Sequence, residues 1–412
     1  MGSWRKAYGR FGAAGLVLVM IAACSSAGPT PPAVPGTDHS GFGPGVVFPW
    51  TGPVASGIHV VVPGPSGAAA SQPVASGAPR ASSGAVTVDQ ISADYSYKSE
   101  LITPLAHLYG SFLDDFVIVT VKNGNTSPVK IVATSQVSGY TEQASDTVTV
   151  AGGATEEIRQ NPGLTPSAID GLNSEHQASL HVVVSYLDAG QPRTVLDQTS
   201  STLVTSRRDF PWGIKGFTQQ EDFDLVVAMV TPSDPGVETL IRDAANYDPS
   251  KAMTSGYDST NDTSGSVWQR LSDIWQAETA NFKLTYISTT ITFSASSSQR
   301  IRLPAEVLGQ SSGNCIELTL LYAAVAEALG MQPSIILVPG HAYVAIRVDD
   351  TNDNYYFIET TMIGQATFKQ SVAEGNSEWA TAQPHLNAGE ADYGWVDVAA
   401  ARAKGIVPIP WH

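Results

Sequence analysis

Residues 313–330 read G-N-C-I-E-L-T-L-L-Y-A-A-V-A-E-A-L-G, residues 333–348 read P-S-I-I-L-V-P-G-H-A-Y-V-A-I-R-V, and residues 355–364 read Y-Y-F-I-E-T-T-M-I-G. The first run opens after Asn314, a side chain suited to capping a helix N-terminus, and closes on Gly330, suited to the left-handed residue past a helix end. Within it Leu321, Ala324, Val325 and Ala328 recur at helical spacing and predict the buried face. After Gly330 the pattern changes to strands. Residues 334–338 are apolar and stop at Pro339-Gly340. Residues 341–348 alternate, with His341, Tyr343, Ala345 and Arg347 on one face and Ala342, Val344, Ile346 and Val348 on the other. A polar turn, 349–354, precedes a strand over 355–359. Folding that hairpin brings positions 359–362 level with His341, where cross-strand neighbours stand about 5 Å apart.

This places Cys315 in the first turn of a helix, His341 at the start of a strand and Glu359 at the end of the next. A thiol there faces the positive end of the helix dipole and unpaired backbone amides, which favour negative charge and can receive the oxyanion of an acyl intermediate. One imidazole nitrogen of His341 can face Cys315 while Glu359 orients the ring from the other side. Each residue alone has a plainer reading. A cysteine is often a small buried hydrophobe, a strand histidine is commonly structural, and a glutamate carries no signal by itself. Their order, each at an element end, singles out the three together.

These residues resemble the transglutaminase-like superfamily, related to papain-type cysteine proteases. The resemblance rests on Gly313-Asn314-Cys315 at a helix start, the helix tail from Leu321 to Gly330, Gly340-His341, Glu359-Thr360, and Gln299-Arg300-Ile301-Arg302 upstream; it spans residues 223–364. It implies an α+β, papain-like fold with Cys315 as nucleophile, His341 as general base and then acid, and Glu359 as the orienting acid. The family more often has aspartate at that last position; glutamate, one methylene longer, leaves the register open. The family's oxyanion partner lies upstream of the cysteine, and Gln299 is the candidate here.

The 412-residue chain holds two cysteines, Cys24 and Cys315. Arg5, Lys6 and Arg10 precede a short apolar core, 15–21, too short for a permanent span, which ends in Ile21-Ala22-Ala23-Cys24. That ending resembles a bacterial lipobox and implies that Cys24 is lipidated and becomes the first mature residue. The alternative is an ordinary secretory signal cut near Ala13 or Ala23. A lipid on Cys24 leaves Cys315 without a partner in an oxidising compartment, where cysteines otherwise pair. The expected location is the extracytoplasmic face of a bacterial cell envelope, on a membrane anchor.

Four segments follow from composition and period. Residues 1–24 are the signal, and 25–87, rich in Pro, Gly, Ser and Ala, read as a disordered linker with apolar interruptions at 45–50 and 58–62. Residues 88–208 carry short strands with turn signals and predict an all-β, immunoglobulin-like sandwich; His176 and His181 within it read as structural or surface residues. Residues 209–412 hold the transglutaminase-like domain and a C-terminal extension. In that last segment 223–230 reads as an apolar strand, Asp234-Pro235 starts a helix, and 267–277 forms a second helix with Val267, Leu271, Ile274 and Trp275 inward. Residues 391–397 read as a strand, with His385 and Trp395 as packing residues or groove lining.

Charged residues make up only 15%, and the net charge is −16. Such a chain offers no electrostatic footprint for nucleic acid or anionic lipid. There is no H-E-x-x-H, no cysteine cluster and no Walker loop, so neither metal nor nucleotide is implied and no cofactor is expected. Two functions remain open. One is a cysteine-nucleophile enzyme acting on peptide or glutamine amides through a thioester, with hydrolysis preferred to transfer. The other is a non-catalytic adaptor that binds a peptide, protein or cell-envelope component.

Overall fold

The computed structural model describes residues 48–49, 86–88 and 90–410, apart from 189–190, 252, 254–256, 258–262, 290–292, 294–295 and 350–352. Cys24, the signal and nearly all of the 25–87 linker lie outside the described residues. Of the linker's first apolar interruption, strand β1 (Phe48–Pro49) is described; the second, 58–62, is not.

Residues 86–204 form a β-rich part. Its strands are β2 (Val86–Val88), β3 (Ile91–Tyr97), β4 (Glu100–Leu101), β5 (Val117–Asn123), β6 (Val129–Val137), β7 (Ala144–Val150), β8 (Thr155–Gln160), β9 (His176–Asp188) and β10 (Gln191–Val204), with one short helix, α1 (Pro166–Gly171). They make two sheets, in the orders β2-β3-β5-β8 and β4-β10-β9-β6-β7. Only β4, beside β10, pairs in parallel among these strands. Burial alternates residue by residue along β3 and β5 and along most of β6 and β9, so each sheet turns one face inward. Ile91, Val119, Ile131 and Val182 from both sheets share one apolar cluster. Tyr95, whose hydroxyl meets Ser200 Oγ at 2.7 Å, ties the two sheets together.

Residues 209–410 form an α+β part. Strand β11 (Asp209–Pro211) leads to α2 (Gln219–Asp224), a 3-10 turn over Leu225–Met229, α3 (Pro235–Ala244) and α4 (Thr263–Ala280). Short strands β12 (Thr285–Tyr286) and β13 (Ser298–Arg300) precede α5 (Pro304–Gln310), β14 (Ser312–Gly313) and α6 (Cys315–Ala328). The sheet strands β15 (Pro333–Val338), β16 (His341–Arg347) and β17 (Asn354–Ile358) follow, then α7 (Phe368–Ala388), β18 (Gly394–Asp397) and α8 (Val398–Ala403). The sheet order is β1-β17-β16-β15-β18, antiparallel throughout. The linker fragment β1 thus covers the edge of β17, an edge that would otherwise present unpaired backbone groups.

One face of this sheet, with Ala342, Val344 and Ile346, joins the large core that contains α6; the other, with Tyr343 and Ala345, packs on Trp379 of α7. The alternation expected for 341–348 is therefore realised, although Tyr343 and Ala345 are as buried as their neighbours because helices cover both faces. Asp234 caps α3, with its side chain accepting from the Gly236 amide, and Pro235 takes the first helical position. Val267, Leu271, Ile274 and Trp275 are buried on α4.

Two expectations are corrected. Residues 223–230 are no strand: α2 and the 3-10 turn occupy them. A fully buried apolar run carries no readable period, and Thr218 with Glu221 forms a capping box that starts a helix. Ala328 is exposed, while α6 is buried on all sides from Cys315 to Ala326. This helix runs through the core, so no single stripe defines its buried face.

Candidate active site

Cys315 opens α6, as its sequence implies. The Asn314 side chain accepts from the Glu317 amide at 3.0 Å, and Glu317 Oε2 accepts from the Asn314 amide at 3.0 Å. This closed capping box fixes the first turn. Glu317 does a second task. It receives Arg302 through the backbone amide and Nε, both at 2.9 Å, and through the second guanidinium nitrogen at 2.6 Å. The Gln299-Arg300-Ile301-Arg302 run is thereby clamped to the base of the cysteine helix. Gly313 must be glycine for packing: a Cβ there would stand 2.9 Å from the Leu318 side chain.

His341 begins β16 after the two-residue turn Pro339-Gly340, with Val338 opposite His341 in the register. Gly340 takes φ 73°, a conformation that favours glycine. The pairing of β16 with β17 sets Val344 opposite Ile358 and Ala345 opposite Phe357. The ladder stops at Ile358, and Glu359 caps a 3-10 turn over Thr360–Met362. Glu359 Oε2 meets His341 Nε2 at 2.6 Å.

Three further contacts hold Glu359. Its Oε1 accepts from the Thr361 amide at 2.8 Å and from the Thr361 hydroxyl. Its backbone carbonyl accepts from Ser371 Oγ at 2.9 Å. Thr319, one turn beyond Cys315 on α6, donates to the Ala342 carbonyl at 3.2 Å and lies 3.3 Å from Thr360 Oγ1. A single hydroxyl thus links the helix of the cysteine to the neighbours of both the histidine and the acid.

The structure brings Cys315, His341 and Glu359 together. The thiol lies close enough to the imidazole to help raise its pKa. Cys315 is 1% exposed, and His341 is partly buried. Burial pulls the His341 pKa down, but its contacts with Cys315, Glu359 and Glu378, and the Glu359 charge, outweigh it and raise the value well above the usual one. Burial pushes Glu359 up, and the contacts with His341 outweigh that and hold it below the usual carboxylate range.

The residue that sequence reasoning missed is Glu378. It lies on α7, and its Oε2 comes to 3.4 Å from His341 Nε2. Burial, then the neighbouring Glu359 charge, push its carboxyl up to about 7. Helix α7 crosses β17 so closely that a Cβ on Gly375 would stand 2.5 Å from the Phe357 carbonyl oxygen; this contact delivers Glu378, one turn on, to the imidazole. No motif marks it, and only the glutamate beside Trp379 on a helix packed over the sheet could have drawn notice.

Gln299 lies on β13, where its Oε1 accepts from Trp212 Nε1 at 3.0 Å. His385 pairs with Glu390 at 2.8 Å and stacks on Tyr393, while Trp395 packs among Tyr355, Phe357 and Trp379. Both are packing residues here. His181, on β9, pairs with Asp197 at 2.8 Å, and His176 stacks on Tyr140.

Among the described residues, His341, Glu359 and Glu378 bring metal-ligating atoms within 4.8 Å of one another. Two ligands of one zinc ion stand roughly 3 Å apart. The 2.6 Å separation of His341 and Glu359 is that of a hydrogen bond, so the donor set fits a proton between them better than a cation.

No protein-family model matches the chain, and no curated protein matches it. Among solved structures, one described as a protein from Archaeoglobus fulgidus aligns with 31% of this chain and 95% of its own, at 10% identity and a TM-score of 0.19. A likeness that slight carries no argument about fold or function. Fold and site together define a class no finer than a chain with a β-rich part and an α+β part, the latter holding a Cys–His–Glu cluster at the junction of a helix and two strands.

Proposed function

We propose that the chain is a cysteine-nucleophile enzyme of transglutaminase-like fold, with an immunoglobulin-like β-sandwich domain and a lipid anchor on Cys24 at the extracytoplasmic face of a bacterial envelope. Its substrate is a peptide or glutamine side-chain amide. One observation carries the reading: the Cys315 thiol at a helix N-terminus lies beside the His341 imidazole, whose Nε2 is held by Glu359 at 2.6 Å.

The chemistry runs in two halves. His341 holds the thiol proton while Cys315 sulfur adds to the amide carbonyl. The first two amides of α6, those of Cys315 and Ile316, have no partner within the helix and face the developing oxyanion. The C–N bond breaks, the imidazolium gives its proton to the departing amine, and a thioester remains on Cys315. Water, deprotonated by His341, then adds to the thioester and releases the acid and the thiol. An amine in place of water would give transfer; hydrolysis is the preferred outcome.

The test is the rate at which iodoacetamide labels Cys315 at neutral pH. It should exceed that of a free peptide thiol and fall in His341→Ala. Labelling no faster than the peptide, and indifferent to His341→Ala, would sink the reading. The burial of Cys315 favours a second reading, a non-catalytic adaptor. On that reading Cys315→Ala leaves the cellular role intact.

A further inference from the structure

The proposed reaction leaves unused a cleft on the other side of Asn314, the residue before Cys315. It measures about 480 Å3, and Arg208, Arg300, Arg302, Gln299 and Thr289 line it with Asn314. In a chain of net charge −16, this cleft gathers three arginines, with Glu317 the acid in its lining and Glu306 and Asp209 beside Arg208 and Arg300.

The cations differ in how far they are neutralised. Arg302 is matched by Glu317 at 2.6 Å. Arg207 and Arg208 both close on Glu306 Oε1, so two guanidiniums share one carboxylate and a positive charge stays uncompensated. Arg300 is exposed on β13, opposite Asp209 in the strand register. Gln299 supplies a directed donor. Its Oε1 is fixed by Trp212, and its Nε2 is buried with no hydrogen-bond partner, although the residue is only 8% exposed. An unpartnered buried amide costs stability until an acceptor reaches it.

We infer that this cleft is the subsite for a carboxylate on an acidic peptide segment of the substrate. Fixed guanidiniums match the planar carboxylate fork, and the Gln299 amide adds a neutral donor beside them. A neutral peptide would leave the excess charge unpaired, and a phosphate, with its greater charge, asks for more positive charge than the shared Arg207–Arg208 pair and Arg300, itself drawn to Asp209, leave over. The role of subsite rests on Cys315 being the nucleophile; the binding of a carboxylate does not.

The probe is fluorescein-labelled tetraglutamate, with tetraglutamine as control, binding to the full chain at low salt by fluorescence polarisation. Tetraglutamate should bind and tetraglutamine should not. Arg300→Gln should weaken binding about tenfold, the loss expected for one charged hydrogen bond, and Arg300→Glu further. Cys315→Ala should bind as the parent does, and bound tetraglutamate should slow labelling of Cys315 by iodoacetamide. Absent binding, equal binding of tetraglutamine, indifference to both Arg300 variants, or displacement by equimolar inorganic phosphate each overturns the carboxylate site. Binding that leaves labelling of Cys315 unslowed overturns its place beside the thiol. Binding to a chain whose thiol labels no faster than a peptide thiol keeps the carboxylate cleft and rejects the nucleophile, and the role of subsite with it.

Discussion

His341 stands between two carboxylates that behave in opposite ways. Glu359 is held below the usual carboxylate range and Glu378 is pushed up to about 7, because the first carries the hydrogen bond to the imidazole and the second must ionise beside it. The linkage signs follow. The raised His341 contributes stability that is complete below its ordinary value of 6.5 and fades as pH rises through the higher folded value. The depressed Glu359 contributes stability that is complete above 4.5 and fades as pH falls through the lower folded value. Glu378, raised, favours its neutral form, so its contribution is complete below 4.5 and fades as pH rises toward 7. Of these three groups only Glu378 changes between about pH 5 and 6.5; Glu278 and other raised carboxylates change there too, so its share is the difference between the parent and a Glu378 variant. Glu378→Gln should flatten the decline in urea stability over that window and remove an inflection near pH 7 from the Cys315 labelling profile. An unchanged slope and profile would mean that Glu378 only packs there.

At the scale of elements the site depends on how α6, β16 and α7 are joined. Thr319 carries the join between the first two, so Thr319→Val, which keeps the shape and deletes both contacts, isolates it. Its stability cost should be about 1–2 kcal/mol by urea denaturation. Cys315 labelling below the unfolding range should fall about tenfold or more, because small misplacements of reacting groups cost rate steeply. Loss of stability with labelling intact would show that the threonine is merely structural. Gly375→Ala tests the other join. A methyl group 2.5 Å from the Phe357 carbonyl forces α7 off β17, so unfolding by heat should come earlier, and the pH response attributed to Glu378 should fade with it. These joins explain what could be read from the sequence. The helix at Cys315 was legible from Asn314 and Gly330, and the hairpin from Pro339-Gly340 and the alternation after it, since caps and turns are local. Glu378 was not, because its place depends on α7 crossing β17 at Gly375, a contact between elements with no spacing signal. The 223–230 run misled for the related reason that burial on all sides erases the period by which strand and helix are told apart.

At the scale of the molecule, the β-rich part keeps its own cluster between its sheets, but it also lends residues to the core of the α+β part. Leu105, Leu108 and Leu113, from the 3-10 turn at Thr103–Leu108 and the loop after it, are buried in the cluster that also holds Cys315, Leu321 and Ile358. His107 Nε2 meets the Val407 carbonyl at 3.0 Å, and Arg207 and Arg208 pair with Glu306 on α5. A fold in which the first part were only a spacer would not need those leucines. Fluorescence separates the cases, because no tryptophan lies between residues 51 and 211, whereas Trp212, Trp268, Trp275, Trp379 and Trp395 report on the α+β part. Leu180 on β9 is fully buried in the cluster confined to the β-rich part, and Leu180→Ala should cost about 2–5 kcal/mol. If the two parts unfold together, the tryptophan-detected transition moves to lower urea by that amount, although the substitution lies in the β-rich part. If they unfold independently, far-ultraviolet dichroism registers an early loss of β structure while the tryptophan transition stays where it was, and Cys315 keeps its reactivity. The cluster shared by Leu108 and the cysteine helix argues for the first outcome, and with it for a β-rich part that supports the α+β core directly.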